Sequence, residues 1–326
     1  MVQTESASVP FLAGRDARSR RAVPGASYVL ALLILVFGIF APGFLSVSNL
    51  LNVSRQAAVL LIVAVGQTLI ILTEGIDLSS GAVMGLAGVS CGVALHAGSG
   101  AATAIVLALL VGILCGALSG WLITAGRLPP FIATLGMMGM AQGLALALSH
   151  GSSVRGFTAT FRYLADESLL GVPIPGWIAL LTFAWGYLLL YHTPLGTHVL
   201  ALGGNREAAR ATGVPILRQE FRVYALAGLL SALGGIVLVA RINSAHPTVG
   251  IGYEFDAIAA AILGGTSFER GRGGLPGTIL GVALIAVLRN GLNVIGMATY
   301  LQLAAVGAIL VAAIVLDTWL MRRSRS

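Results

Sequence analysis

The chain has 326 residues, of which 57% are hydrophobic and only 10% charged, against about 25% charged in an ordinary soluble domain. A water-soluble fold of this composition would expose too much contiguous apolar surface to stay monomeric, a difficulty that lipid removes. The net charge is +7 and every basic residue is an arginine; these stand mainly at the ends of apolar segments, where they read as topology signals and not as a nucleic-acid footprint.

Residues 1–25 form a hydrophilic tail carrying Arg15, Arg18, Arg20 and Arg21, expected to be mobile and cytoplasmic. No small-residue cleavage site follows the first apolar run, so that run reads as a retained helix and not a signal peptide. A span needs about 20 mostly apolar residues. The sequence predicts about ten, at 27–46, 50–72, 80–97, 101–125, 130–149, 175–192, 219–241, 254–267, 275–295 and 299–318. The expected fold class is therefore all-α, a polytopic membrane protein embedded in a lipid bilayer. The eighth segment is short and opens near Glu254 and Asp256. That marks it as a candidate broken or re-entrant helix, which is tolerated only where protein or water covers the backbone.

Arginine asymmetry orients the spans. With both termini inside, fourteen arginines fall in inside segments, among them Arg127, Arg206, Arg210 and Arg218, while Arg155, Arg162 and Arg241 lie in or beside outside segments. The membrane domain then covers 26–320, with a first half at 26–149, an outside loop at 150–174 and a second half at 175–318. The second half contains an inside loop at 193–218, and residues 321–326 form a cytoplasmic tail. Five spans on either side of the outside loop would run in opposite directions, the arrangement of an inverted repeat. Gly112, Gly116 and Gly120, and likewise Gly277 and Gly281, are spaced as helix-packing faces. Cys91 and Cys115 read as small packing residues.

The inside loop carries local start and stop signals. Gly203 and Gly204 break the chain, Asn205 is a good N-cap, Arg206 to Thr212 favours helix, Gly213 fits a C′ position and Pro215 stops continuation. The expectation is a capped helix of about two turns, too short to persist without something to pack on. An ordinary connector between spans would explain it equally well.

Glu207-Ala208-Ala209 with Gly213 resembles the EAA loop of ABC importer permeases. Other segments resemble the ribose-type sugar permeases: Gly66-Gln67-Thr68, Gly75-Ile76-Asp77-Leu78-Ser79, Leu128-Pro129-Pro130-Phe131-Ile132-Ala133-Thr134-Leu135-Gly136, Gly252-Tyr253-Glu254, Leu263-Gly264-Gly265-Thr266-Ser267 and Gly291-Leu292-Asn293, in the expected order over about residues 28–318. One departure is Thr73-Glu74, where the family more often has Thr-Gly. The resemblance implies a permease subunit in a bacterial inner membrane. Its partners would be an ABC ATPase subunit, a solute-binding protein at the outer face and a second permease copy or a similar permease; its cargo would be a small neutral solute of the sugar class. It implies that Asn205, Arg206, Glu207, Ala208, Ala209, Arg210 and Gly213 couple to the ATPase. Arg155, Arg162 and Arg241 are candidates for docking the binding protein, each also readable as a solvated or lipid-facing arginine.

Gln67, Asp77, Ser79 and Asn293 are candidates for the translocation pathway or its gating. A charge at membrane depth costs several kcal/mol and usually faces protein or water, and Asp77 and Ser79 could equally cap the helix opening at Ser80. Gln67 and Asn293, with Arg55, Asn290 and Gln302, could hydrogen-bond between helices instead. An ion-coupled secondary transporter using Asp77, Glu254 or Asp256 is the alternative reading. No P-loop is possible without lysine, no metal-ligand cluster appears and no nucleophile motif sits in a suitable setting. The chain is therefore expected to be non-catalytic and to need no cofactor.

Overall fold

The computed structural model describes residues 22–268, 273–298, 301–302, 304–308 and 311. The first 21 residues, Arg270 and Arg272, most of the last predicted span and the 321–326 tail lie outside the described residues. In chain order the helices are α1 (Ala22–Phe40), α2 (Val47–Ile71), α3 (Ser80–His96), α4 (Ala101–Thr124), α5 (Pro130–Ser149), α6 (Ala159–Asp166), α7 (Ile174–His192), α8 (Pro194–Gly204), α9 (Arg206–Ala211), α10 (Ile216–Ile242), α11 (Tyr253–Leu263) and α12 (Leu275–Val294). Four two-residue strands, β1 (Val154–Arg155), β2 (Ser168–Leu169), β3 (Val172–Pro173) and β4 (Ser244–Ala245), pair antiparallel as β1 with β4 and β2 with β3. Among the described residues, six helices, α2, α4, α5, α7, α10 and α12, are long and apolar enough to cross a membrane, with lengths of about 28–40 Å at the helical rise.

The bundle is built around α2 and α10, which are buried over most of their length, while α4, α5 and α7 turn most of their side chains outward. Leu114 and Leu181 are among the exposed large apolar residues of that outer layer. Small residues make the inner contacts possible. A Cβ on Gly116 would sit 3.0 Å from the Gly228 Cα, and one on Gly120 would sit 3.0 Å from the Phe221 carbonyl, so α4 and α10 touch backbone to backbone. Gly277 faces Gly264, and Gly281 faces Ala260, in the same manner between α12 and the α11 segment. Both glycine spacings seen in the sequence are thus packing faces within one chain.

The eighth predicted span is a half-length helix. After β4 the chain runs irregularly alongside α3, on which Gly81, Gly85 and Gly92 leave room for backbone. A Cβ on Gly92 would lie 3.2 Å from the Ala245 Cβ, one on Gly85 2.6 Å from the Pro247 carbonyl, and Gly81 abuts Gly250 and Glu254. The Gln142 amide of α5 donates to the Pro247 carbonyl at 3.2 Å. Only then does α11 begin, with 11 residues. This is the covered, non-helical backbone that an apolar bundle permits. Cys91 is buried and Cys115 half-buried in helical packing.

Candidate functional site

Two ends of the bundle can be told apart: the α9 end, which carries α8 and α9, and the α6 end, which carries β1, β4 and α6. At the α9 end the local chemistry matches the expected start and stop signals. The Asn205 side chain caps α9 by accepting from the Ala208 N–H at 2.9 Å. Thr212 closes the helix, and Gly213 stands at φ +83°, with its N–H on the Arg210 carbonyl at 3.0 Å. One expected detail differs. Gly203 and Gly204 do not break the chain but complete α8, and the break falls at Asn205, whose backbone is extended. The reason is that α8 has its own N-terminal signals, Thr193 accepting from the Gly196 N–H and Pro194 in the first turn.

The six-residue α9 is seated on its own chain. Ala209 is buried in a small apolar cluster with Leu202 and Ile216. The Arg206 guanidinium pairs with the buried Glu220 carboxylate in the first turns of α10. Glu207, Ala208 and Arg210 are exposed on the remaining surface.

Beside α9 lies a vestibule of about 1010 Å³. Its walls come from the α2–α3 connection (Thr73, Glu74, Gly75), the α4–α5 connection (Arg127, Leu128, Pro129), α9 (Arg206, Arg210) and the start of α10 (Arg218, Glu220, Tyr224). Tyr224 Oη donates to the Ile76 carbonyl at 3.3 Å. Gly75 lets it approach, since a Cβ there would stand 2.6 Å from that hydroxyl. The vestibule therefore reaches the break between α2 and α3, next to Asp77.

Asp77 is buried, and its Oδ1 accepts from the Ser79 N–H at 2.7 Å and from the Ser79 hydroxyl at 2.6 Å. Ser79 is the N-cap residue of α3, yet its side chain makes no capping bond. The pair forms a closed turn that shapes the break. Gln67 is buried in α2, and its Nε2 has no hydrogen-bond partner among the described residues. Asn293 is exposed near the end of α12. Thr68, next to Gln67, bonds Thr278 of α12, whereas Asn49, at the other end of α2, bonds Asn290, so Gln67 and Asn293 stand at different levels of the bundle while Asp77 and Ser79 are together. Asn290 exchanges hydrogen bonds with Asn49 at 2.8 and 3.0 Å, an interhelical tie.

At the α6 end, Arg155 is exposed on β1. Arg162 pairs with Asp166 along α6 at 3.2 Å. Arg241 instead lines a small cavity of about 100 Å³ with Gln56, Tyr253, Asp256 and Arg289. Asp256 Oδ1 accepts from Arg289 Nη2 at 2.7 Å. The Glu254 carboxylate turns back on the Gly252 N–H at 3.0–3.1 Å. Among the described residues, no group of three or more histidine, cysteine or acidic side chains is placed to hold a metal ion.

The fold and the layout of its two ends define a multi-pass membrane permease. The chain belongs to the family described as "Branched-chain amino acid transport system / permease component", whose model matches residues 49–314. It is 40% identical over 292 residues to the ribose import permease protein of Escherichia coli (strain K12), covering 88% of this chain and 91% of that protein. It is 35% identical to the D-allose transport system permease protein of the same strain, with 90% of each covered. It is also 34% identical to an autoinducer 2 import system permease protein of Yersinia pestis, covering 90% of this chain and 93% of that one. A solved chain described as a metal-chelate type ABC transporter in an inward-facing conformation shares the fold at a TM-score of 0.50 and 18% identity, with 90% of this chain and 99% of that chain covered. The ion-coupled alternative is not favoured by these relatives. Two of its carboxylates are also already engaged, Asp77 by Ser79 and Asp256 by Arg289.

Proposed function

We propose that the chain is the membrane-spanning subunit of an ATP-driven importer that carries a small sugar or sugar-like solute. The observation that carries this reading is α9: a capped helix anchored on α10 through Arg206–Glu220, with Glu207, Ala208 and Arg210 exposed beside the vestibule. The anchored side fixes α9 to α10, and the exposed side is free to be packed by a separate ATPase.

In this reading the α9 end is cytoplasmic and both termini are inside. The bundle has about ten spans in two halves of opposite direction, within 26–320, and the loop 193–218 couples to the ATPase through Asn205 to Arg210 and Gly213. A binding protein delivers solute to the α6 end, in the bacterial inner membrane. Asp77 and Ser79 hold the break that closes the vestibule, and Gln67 and Asn293 are further pathway candidates. Two permease units, identical or similar, form the transporter, and ATP is hydrolysed by the partner chain. The ribose and allose specificities of the relatives support a hydroxyl-rich cargo.

The test is uptake of radiolabelled ribose and allose into proteoliposomes holding the permease, its ATPase and its binding protein. Uptake that requires ATP and binding protein is expected. Uptake driven by an ion gradient without ATP would overturn the reading.

A further inference from the structure

Two charged residues of opposite sign face the same vestibule from helix ends that would be cheaper to build with glycine. Helix α2 ends at Ile71 and the turn after it carries Glu74 at φ +62°; α4 ends at Thr124 and the turn after it carries Arg127 at φ +54°. Around each of them the preceding turn is closed by backbone hydrogen bonds, Gly75 N–H to the Ile70 carbonyl at 3.1 Å and Leu128 N–H to the Leu122 carbonyl at 3.1 Å. Left-handed backbone at a helix end is the usual place for glycine, because a Cβ crowds the carbonyl there. Five residues other than glycine take that conformation among the described residues, and the only two that carry a full charge are these. Both are exposed, both line the vestibule, and neither makes an ion pair with any described residue.

The remaining charges of the cavity show why the pair matters. Arg206 is taken by Glu220, so Glu74 is the one uncommitted carboxylate facing Arg127, Arg210 and Arg218. Arg210 and Arg218 belong to the α9–α10 region. Arg127 sits on the α4–α5 connection, which leads into α5, where the Thr134 hydroxyl donates to the Ile76 carbonyl of the α2–α3 break at 3.4 Å. Approach of these two connections would narrow the cavity and bring opposite charges together in a partly desolvated mouth, where their attraction is stronger than in water.

We propose that Glu74 and Arg127 are the two halves of an ionic gate at the α9 end of the solute path. They are apart in this structure and paired when the vestibule closes. The proposal rests on the transport reading above and adds the residues that seal one end of the path. It also accounts for the strained backbone. Glycine at either position would fit the turn and lose the charge.

Two experiments test it. The first uses the reconstituted importer preloaded with labelled ribose and measures ATP-independent leak together with solute moved per ATP. Glu74→Arg and Arg127→Glu should each raise leak about tenfold or more, and the double swap should return it to within about threefold of wild type. Glu74→Gly relieves the backbone, so it should reach normal abundance and still leak. Wild-type leak in Glu74→Gly, or a double swap no better than the singles, would overturn the gate. The second needs no transport: Glu74→Cys with Arg127→Cys, in a background with Cys91→Ala and Cys115→Ala, assayed for disulfide formation in membranes with and without the ATPase trapped by vanadate. A strong rise in crosslinking in one state is expected, and none in any state would overturn the gate. If wild-type uptake needs no ATP, the importer reading fails while the crosslink still decides the gate.

Discussion

The guanidinium of Arg206 reaches across 14 residues to the carboxylate of Glu220, so the first residue of α9 is bound to the first turns of α10. Glu220 is almost fully buried while Arg206 is 39% exposed, so the pair is part-screened and is worth about 1 kcal/mol, or roughly fivefold in an equilibrium constant. Glu220→Ala should weaken ATPase association by about that factor with the permease at normal abundance. Glu220→Gln, which still accepts a hydrogen bond, should lose less. Affinity of the ATPase for detergent-solubilised permease is the measurement, and equal binding by wild type and Glu220→Ala would remove the pair from the coupling path.

The two alanines of α9 have different jobs, and substitution separates them. Ala209 is buried against Leu202 and Ile216, whereas Ala208 is exposed. Ala209→Trp should unseat α9 from its own chain and impair both ATPase association and the order of the loop. Ala208→Trp should leave the loop intact and clash only with a closely packed partner. Gly213→Val forces a β-branched residue into φ +83°, at a cost of about 1–2 kcal/mol, and should loosen the α9 stop. Limited proteolysis of 205–215 without the ATPase tells these apart. If Ala208→Trp binds the ATPase and transports at wild-type levels, α9 is only a connector.

The arginine asymmetry predicts that both termini are cytoplasmic. A reporter active only outside, fused after Ser326, should be silent, and the same reporter inserted near Gly151, in the loop before α6, should be active. Strong activity at Ser326 would refute the orientation.

Irregular backbone beside α3 makes a packing prediction. A side chain at Gly85 would press on the Pro247 carbonyl, which belongs to backbone and cannot swing away, whereas a Cβ at Gly139 of α5 meets nothing within 4 Å. Gly85→Val should therefore displace the segment leading into α11, with an overpacking cost of about 1–3 kcal/mol. Gly139→Ala should be close to neutral. Membrane abundance and heat stability of the two variants in detergent read this out, and an undisturbed Gly85→Val would show that the segment packs elsewhere.

What was legible in the sequence follows the range of the interactions. The caps of α9 are carried by residues at most a few positions apart, so Asn205 and Gly213 announced themselves. The glycine spacings on α4 and α12 are periodic and equally visible. The half-length α11 was foreshadowed by the shortness of its apolar run, which opens near Glu254 and Asp256. The glycines on α3 that admit its approach are more than 150 residues away, and nothing local names their partner. The vestibule is walled by three separate stretches of chain, the Arg206–Glu220 pair spans 14 residues between α9 and α10, and the Arg289–Asp256 pair joins two helices, so each depends on how the chain folds back. Glu74 stood out as a departure from the family pattern, but its left-handed backbone and the cavity it shares with Arg127 exist only in the fold. Asn293 and Gln67 were grouped by polarity alone, and the structure separates them.

Docking of the binding protein should fall on Arg155 more than on the other two candidate arginines. Arg155 is exposed on β1 and, among the described residues, makes no ion pair. Arg162 already spends its charge on Asp166, and Arg241 faces a cavity shared with Asp256 and Arg289. Rim charges act mainly on association rate and its salt dependence, and an exposed pair contributes about 0.2–1 kcal/mol. Arg155→Ala should therefore lower the binding-protein on-rate by up to about fivefold at low ionic strength, with the difference shrinking as salt is added. Arg155→Glu should lower it further. Arg162→Ala should change little, because it frees Asp166 as it removes the cation. Arg241→Ala should reduce transport with the salt dependence of docking unaltered, because the charge it removes is turned into the bundle. Association kinetics measured across ionic strength for each variant separate these outcomes. Unchanged kinetics in both Arg155→Ala and Arg155→Glu would move the docking surface away from β1.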